Sequence, residues 1–148
     1  MNNTENVKNK IKELLEIGGF RDFSAEADVE GKRISLFIHE FNLDKSVLPK
    51  IISDFERVAK LISKKIDPAA EDNLVLDINN YRRERERLIA ELAKAAARKV
   101  LLNKQEVKLP AMNAFERRIV HMELASRPDV KTESFGVGSE RHIIVKPI

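Results

Sequence analysis

Residues 81–102 contain neither glycine nor proline and are rich in Arg, Glu, Ala and Leu, so one long helix must run through the middle of the chain. About 22 residues at about 1.5 Å each make it near 33 Å long. Its apolar positions fall at Leu88, Leu92, Ala95, Ala96 and Val100, with Lys99 interrupting the stripe. At its start Arg82, Arg83, Arg85 and Arg87 alternate with Glu84 and Glu86, a spacing that predicts ion pairs along the helix face before it predicts contact with a polyanion.

The flanking sequence divides around this helix. Before it, apolar residues at helical spacing over 7–17 stop at Gly18-Gly19. Partly alternating runs over 23–29 and 33–39 enclose Glu30-Gly31-Lys32, a hairpin whose Gly31 supplies the positive φ of a tight turn. Ile51, Ile52, Phe55, Val58, Ala59 and Ile62 mark a second helix, with Ser46 as its expected N-cap, Pro49 in its first turn and Asp67-Pro68 at its end. A short extra helix over 43–47 is an open option, and the β-branched run 74–78 is a third strand. This half reads α-β-β-α-β.

After the long helix come a short strand over 107–109, ended by Pro110, and a helix capped by Asn113 with Glu116 three residues on. Ser126-Arg127-Pro128-Asp129 terminates that helix. Strands over 130–135 and 141–146 then close a hairpin around Gly136-Val137-Gly138-Ser139. The second half reads α-β-α-β-β, and the whole is an α+β chain of two small abutting domains, 1–80 and 81–148.

Charge separates the halves as well. Residues 1–80 hold 12 Lys/Arg against 15 Asp/Glu and residues 81–148 hold 15 against 9, so a net charge of +3 hides −3 followed by +6. A polyanion partner is therefore expected for the second half. The chain has no cysteine, which excludes disulfides, thiolate metal sites and cysteine nucleophiles and makes the cytoplasm the default compartment. No apolar run approaches the roughly 18 residues of a membrane span, so no membrane insertion is expected. Paired catalytic carboxylates, P-loops, nucleophile elbows and metal-ligand spacings are missing, and His39, His121 and His142 are far apart in sequence. Neither catalysis nor a cofactor is expected.

The stretch Asn113-Ala114-Phe115-Glu116-Arg117-Arg118-Ile119-Val120-His121 places Arg117 and His121 four residues apart, about 40° around a helix axis. Phe115, Ile119 and Met122 gather on nearly the opposite side, which assigns them to the core and turns the pair outward. A planar, always-charged guanidinium beside a stackable imidazole suits a phosphate and a nucleobase.

Residues 109–121, Leu109-Pro110-Ala111-Met112 and the stretch above, together with Thr132-Glu133-Ser134-Phe135-Gly136-Val137-Gly138-Ser139-Glu140-Arg141-His142-Ile143-Ile144-Val145-Lys146-Pro147, resemble the C-terminal domain of the bacterial Jag family, also called SpoIIIJ-associated or KhpB/EloR. That domain carries an Arg-x-x-x-His signature and binds single-stranded nucleic acid. The resemblance implies that Arg117 and Arg118 hold phosphate and that His121 stacks on or hydrogen-bonds to a base. Arg141, Lys131 and Lys146 would extend a basic track, with Ser134 adding a hydroxyl. The expected partner is single-stranded RNA or DNA, RNA ahead of DNA.

In that family a KH domain precedes, and residues 5–80 are similar to it in element order. KH domains clamp nucleotides with a Gly-x-x-Gly loop. Here Ser46-Val47-Leu48-Pro49 stands in its place, bulky, uncharged and ending in a residue with no amide hydrogen. The first domain is thus expected to be a degenerate KH-like domain that meets protein, a KH-type partner or a second copy. The separate N-terminal Jag domain of family members is not expected. The alternative is a protein-interaction or scaffold module in cell-envelope or division regulation, with nucleic acid incidental.

Overall fold

The computed structural model describes residues 2–28, 30, 32–40 and 44–148. They form two compact units, Met1–Arg83 and Glu84–Ile148, and the division falls within the long helix. The expected α+β class is borne out.

In the first unit, helix α1 (Asn3–Ile17) is capped by Asn2, whose side chain accepts from the Glu5 amide, and it buries Val7, Ile11 and Leu15. Strands β1 (Phe23–Asp28) and β2 (Arg33–Ile38) pair antiparallel. The turn glycine assigned between them, Gly31, lies outside the described residues, as do Val29 and residues 41–43. Helix α2 (Leu48–Ile66) leads to β3 (Val75–Ile78), which joins β2 in parallel, so the sheet runs β1-β2-β3. Ile34, Leu36, Leu76 and Ile78 from the sheet pack with α1 and with Ile52 and Ala59 of α2 into one core.

The start of α2 departs from expectation. Ser46 does not cap it; the N-cap position is Val47, which makes no side-chain bond, and Pro49 occupies the first turn. Asp44 does the work instead. Its carboxylate accepts from the Ser46 amide, and its carbonyl accepts from the amides of Val47 and Leu48. The Ser46 amide, then its hydroxyl, hold the Asp44 carboxyl below the ordinary carboxylate range. Of the optional helix over 43–47, Leu43 is outside the described residues and 45–47 form a turn.

Between β3 and the long helix, Asn79 and Asn80 both take left-handed conformations, φ 53° and 57°, which asparagine tolerates better than most residues. The Asn79 amide side chain bridges to both backbone groups of Ile38, accepting from its N–H and donating to its carbonyl. Asp77, only 1% exposed, accepts from the amides of Ile78, Arg82 and Arg83. A buried carboxylate thus satisfies the orphan donors that open helix α3 (Tyr81–Asn103), and Arg82 pairs with Glu56 of α2.

Along α3 the buried stripe is Ile89, Ala93, Ala96, Ala97 and Val100, turned by one residue from the expected one. Leu88, Leu92, Ala95 and Lys99 are exposed. The remaining elements are β4 (Val107–Lys108), α4 (Ala114–Leu124), β5 (Val130–Phe135), a 3-10 turn at Gly138–Glu140 and β6 (His142–Pro147). They give an antiparallel sheet in the order β4-β6-β5. Val120 and Leu124 of α4 pack with Val130, Ile143 and Val145 of the sheet and with the small-residue face of α3. No described helix is long and apolar enough to cross a membrane.

Asp77→Ala leaves three buried or half-buried amides without their acceptor and removes the carboxylate 3.9 Å from the Arg33 guanidinium. It is expected to destabilise the first unit by about 3 kcal/mol, read as a lower urea midpoint with secondary structure retained at zero denaturant. A midpoint equal to the wild type's contradicts the assignment.

Candidate nucleic-acid interface

The segment before α4 is tied along β6. The Leu109 amide donates to the Ile143 carbonyl and the Met112 amide to the Arg141 carbonyl, with Leu109 and Met112 buried and Pro110 between them needing no acceptor. This sets the first turn of α4 beside the Gly138–Glu140 turn. A cleft of about 470 Å³ opens between them, lined by Met112, Asn113, Arg117, Gly138 and Ser139 among others. Gly136, φ 91°, admits the close return of the chain: a Cβ there would lie 3.1 Å from the Glu140 carbonyl oxygen.

Asn113 and Glu116 form the expected capping box, each side chain accepting from the other residue's amide. Glu116 does more than cap. It is buried, and its carboxylate also takes the Arg85 guanidinium at 2.9 Å. With Val120 and Leu124 it makes the inward line of α4. The assignment of Phe115, Ile119 and Met122 to the core is therefore corrected: Ile119 is half-buried, and Phe115 and Met122 face solvent.

Arg117 and His121 follow Glu116 and Val120 by one residue each and so sit at the rim of the buried face, both half-buried. Arg117, which lines the cleft, donates from Nη1 to the Met112 carbonyl at 2.6 Å, and most of its five N–H donors have no partner among the described residues. His121 Nδ1 lies 2.6 Å from Thr132 Oγ1 on β5, fixing the ring and leaving Nε2 as its other polar atom. Arg118 is exposed and has no hydrogen-bond or ion-pair partner among the described residues.

Strand parity separates the other expected residues. Thr132 and Ser134 pair with Val145 and Ile143, the inward residues of β6, so they share the face on which α4 packs. Arg141, just before β6, donates from Nε to Ser134 Oγ at 2.9 Å and joins that side. Lys131 and Lys146 pair with one another across the strands on the opposite face. There Glu133 meets both, at 3.6 and 2.9 Å, and Lys146 lies over the Phe135 ring. Lys146 chiefly, with Lys131, holds Glu133 below the usual carboxylate range. The structure thus brings Arg117, His121, Ser134 and Arg141 together, but not Lys131 and Lys146. Thr132, unassigned from sequence, was legible in its two-residue spacing from Ser134.

Residues 87–147 match the R-three-H domain family, whose name abbreviates the Arg-x-x-x-His signature. These residues are similar to an Arg-x-x-x-His domain. The chain is also similar to three bacterial proteins each named RNA-binding protein KhpB. The one from Lactiplantibacillus plantarum is 38% identical over 52% of this chain and 24% of its own length. That from Clostridium symbiosum is 38% identical over 57% and 39%, and that from Bacillus subtilis 34% over 53% and 38%. The match thus spans well under half the length of each of these relatives. The Jag-family resemblance read from residues 109–147 is borne out, and the matched stretch contains every residue of the cleft and the α4 rim.

Glu116→Ala removes half of the capping box and the partner of Arg85. It is expected to cost the Arg-x-x-x-His domain about 1–2 kcal/mol, measured by thermal unfolding, while Asn113→Ser, which keeps a capping oxygen, costs less than half of that. Equal losses in the two variants would show that the cap, rather than the Glu116–Arg85 pair, carries the stability.

Proposed function

We propose that the chain binds single-stranded RNA through the Arg-x-x-x-His domain and performs no chemistry on it. The observation that carries this reading is the Arg117–His121 rim: two half-buried side chains held by Met112 and Thr132, with Arg117 lining the cleft beside the Gly138–Glu140 turn. A guanidinium with unused parallel donors grips a phosphate bidentately, and a ring fixed at one nitrogen offers its face and its second nitrogen to a base. Arg118 extends the phosphate contacts, and Ser134 and Arg141 border the same side. The relatives' RNA-binding names support RNA over DNA.

The first unit, in this reading, is a KH-like domain without a nucleotide clamp. Where a Gly-x-x-Gly loop would offer free amides, those of Ser46, Val47 and Leu48 all donate to Asp44, Pro49 has none, and the Asp44 carboxylate itself repels phosphate. The unit is then free for protein contact with a KH-type partner or a second copy of the chain.

The test is a titration of labelled single-stranded RNA and DNA with the full chain at several salt concentrations. Wild type should lose affinity with a log-log slope of about −0.7 per phosphate neutralised. Arg117→Ala/His121→Ala should bind at least tenfold more weakly with the fold intact, whereas Asp44→Ala should leave affinity within about twofold. Unchanged affinity in the double variant, or a salt-independent affinity in wild type, removes the reading.

A further inference from the structure

Helix α4 presents a second set of side chains that neither the core nor the Arg117–His121 rim uses. Phe115 is 61% exposed and Met122 65%, in a helix whose packing is complete without them. Arg118 stands between the two at helical spacing, i+3 from Phe115 and i−4 from Met122, so neighbouring Cβ atoms are about 5–6 Å apart. Around the axis Arg118 lies about 60° from His121 on one side and about 60° from Phe115 on the other. It has no partner among the described residues, so its charge is available to a ligand.

We infer that Phe115, backed by Met122, is a base-stacking platform that carries a single-stranded nucleic acid across the outer face of α4 beyond the Arg117–His121 rim. The inference rests on the proposed function and deepens it. An unpaired guanidinium flanked by an exposed ring and a polarisable thioether matches a ligand that is anionic on one side and flat and aromatic on the other, as a nucleotide is. Phe115 offers a ring face to any base, because stacking needs no particular hydrogen-bond pattern. The platform therefore adds affinity without choosing a sequence.

Stacking and charge separate by experiment. The full chain is titrated by fluorescence anisotropy with a single-stranded RNA and with an abasic oligonucleotide of the same phosphate count. Phe115→Ala should weaken RNA binding about tenfold with an unchanged salt slope, leave the abasic affinity unchanged, and be rescued by Phe115→Trp. Arg118→Ala should weaken both ligands and lower the slope by about 0.7. The platform is overturned if Phe115→Ala binds RNA like wild type, if it loses RNA and abasic ligand equally, or if it keeps RNA affinity and instead changes the oligomeric state in sedimentation, which would make the patch a protein contact. Loss in Arg117→Ala/His121→Ala without loss in Phe115→Ala removes the platform and keeps the proposed function. Loss in Phe115→Ala alone does the reverse.

Discussion

The geometry of the Arg-x-x-x-His domain turns on one buried carboxylate. Glu116 closes the capping box of α4 and accepts the Arg85 guanidinium from α3 while occupying the inward line that Val120 and Leu124 continue. A buried charge is tolerated only when paired and hydrogen-bonded, and Glu116 meets both conditions. Because residue 116 points inward, the helical period leaves 117 and 121 at the rim and 115, 118 and 122 outside. Neither the rim nor the outer face is an independent choice; both follow from the rotation that one side chain imposes on the helix.

The same rotation explains what could and could not be read before the fold was seen. The long helix, the capping box and the α+β class were legible because they rest on local rules: no breakers from 81 to 102, a capping pair at fixed spacing, alternating strands. The buried faces of α3 and α4 were misjudged for one physical reason. Hydropathy placed Phe115 and Met122 inside on α4, and on α3 it placed Leu88 and Leu92 inside together with Ala95 and Ala96. In fact α3 buries Ala93, Ala96 and Ala97, a small-residue face that hydropathy ranks below leucine. The expected track through Lys131 and Lys146 failed differently: two-residue alternation from the buried Val130 already puts Lys131 on the other side of the sheet.

In the first unit a capping rule misled in a telling way. Ser46 is a good N-cap by type, yet Asp44 two residues earlier satisfies the amides at the helix start and leaves Val47 in the cap position. The amides of Val47 and Leu48 go to the Asp44 backbone carbonyl, while the Asp44 carboxylate holds the Ser46 amide in a charge-assisted bond that fixes the turn. The consequence reaches past stability. Amides already committed to Asp44 are unavailable to phosphate, so an Asp-led turn differs from a glycine loop in chemistry as well as in shape.

Net charge, which first set the two halves apart, proves a coarse guide to where a polyanion would sit. Six of the fifteen cations after residue 80 are paired within the molecule: Arg82 with Glu56, Arg85 with Glu116, Arg87 with Glu84 and Glu91, Lys94 with Glu123, Lys131 and Lys146 with Glu133. An ion-paired cation contributes little field beyond its partner at physiological salt, where the screening length is about 8 Å. A phosphate would feel Arg117 on a carbonyl, Arg141 on a hydroxyl and Arg118 unpartnered among the described residues, and it would feel Arg83, Arg98, Lys99, Lys104, Lys108 and Arg127 as well, which form no ion pair among those residues either. The first two lie on the side where α4 meets β5 and β6, and Arg118 stands on the outer face of that same helix. How each cation is held, a property of packing that composition does not carry, separates Arg117, Arg118 and Arg141 from Lys131 and Lys146.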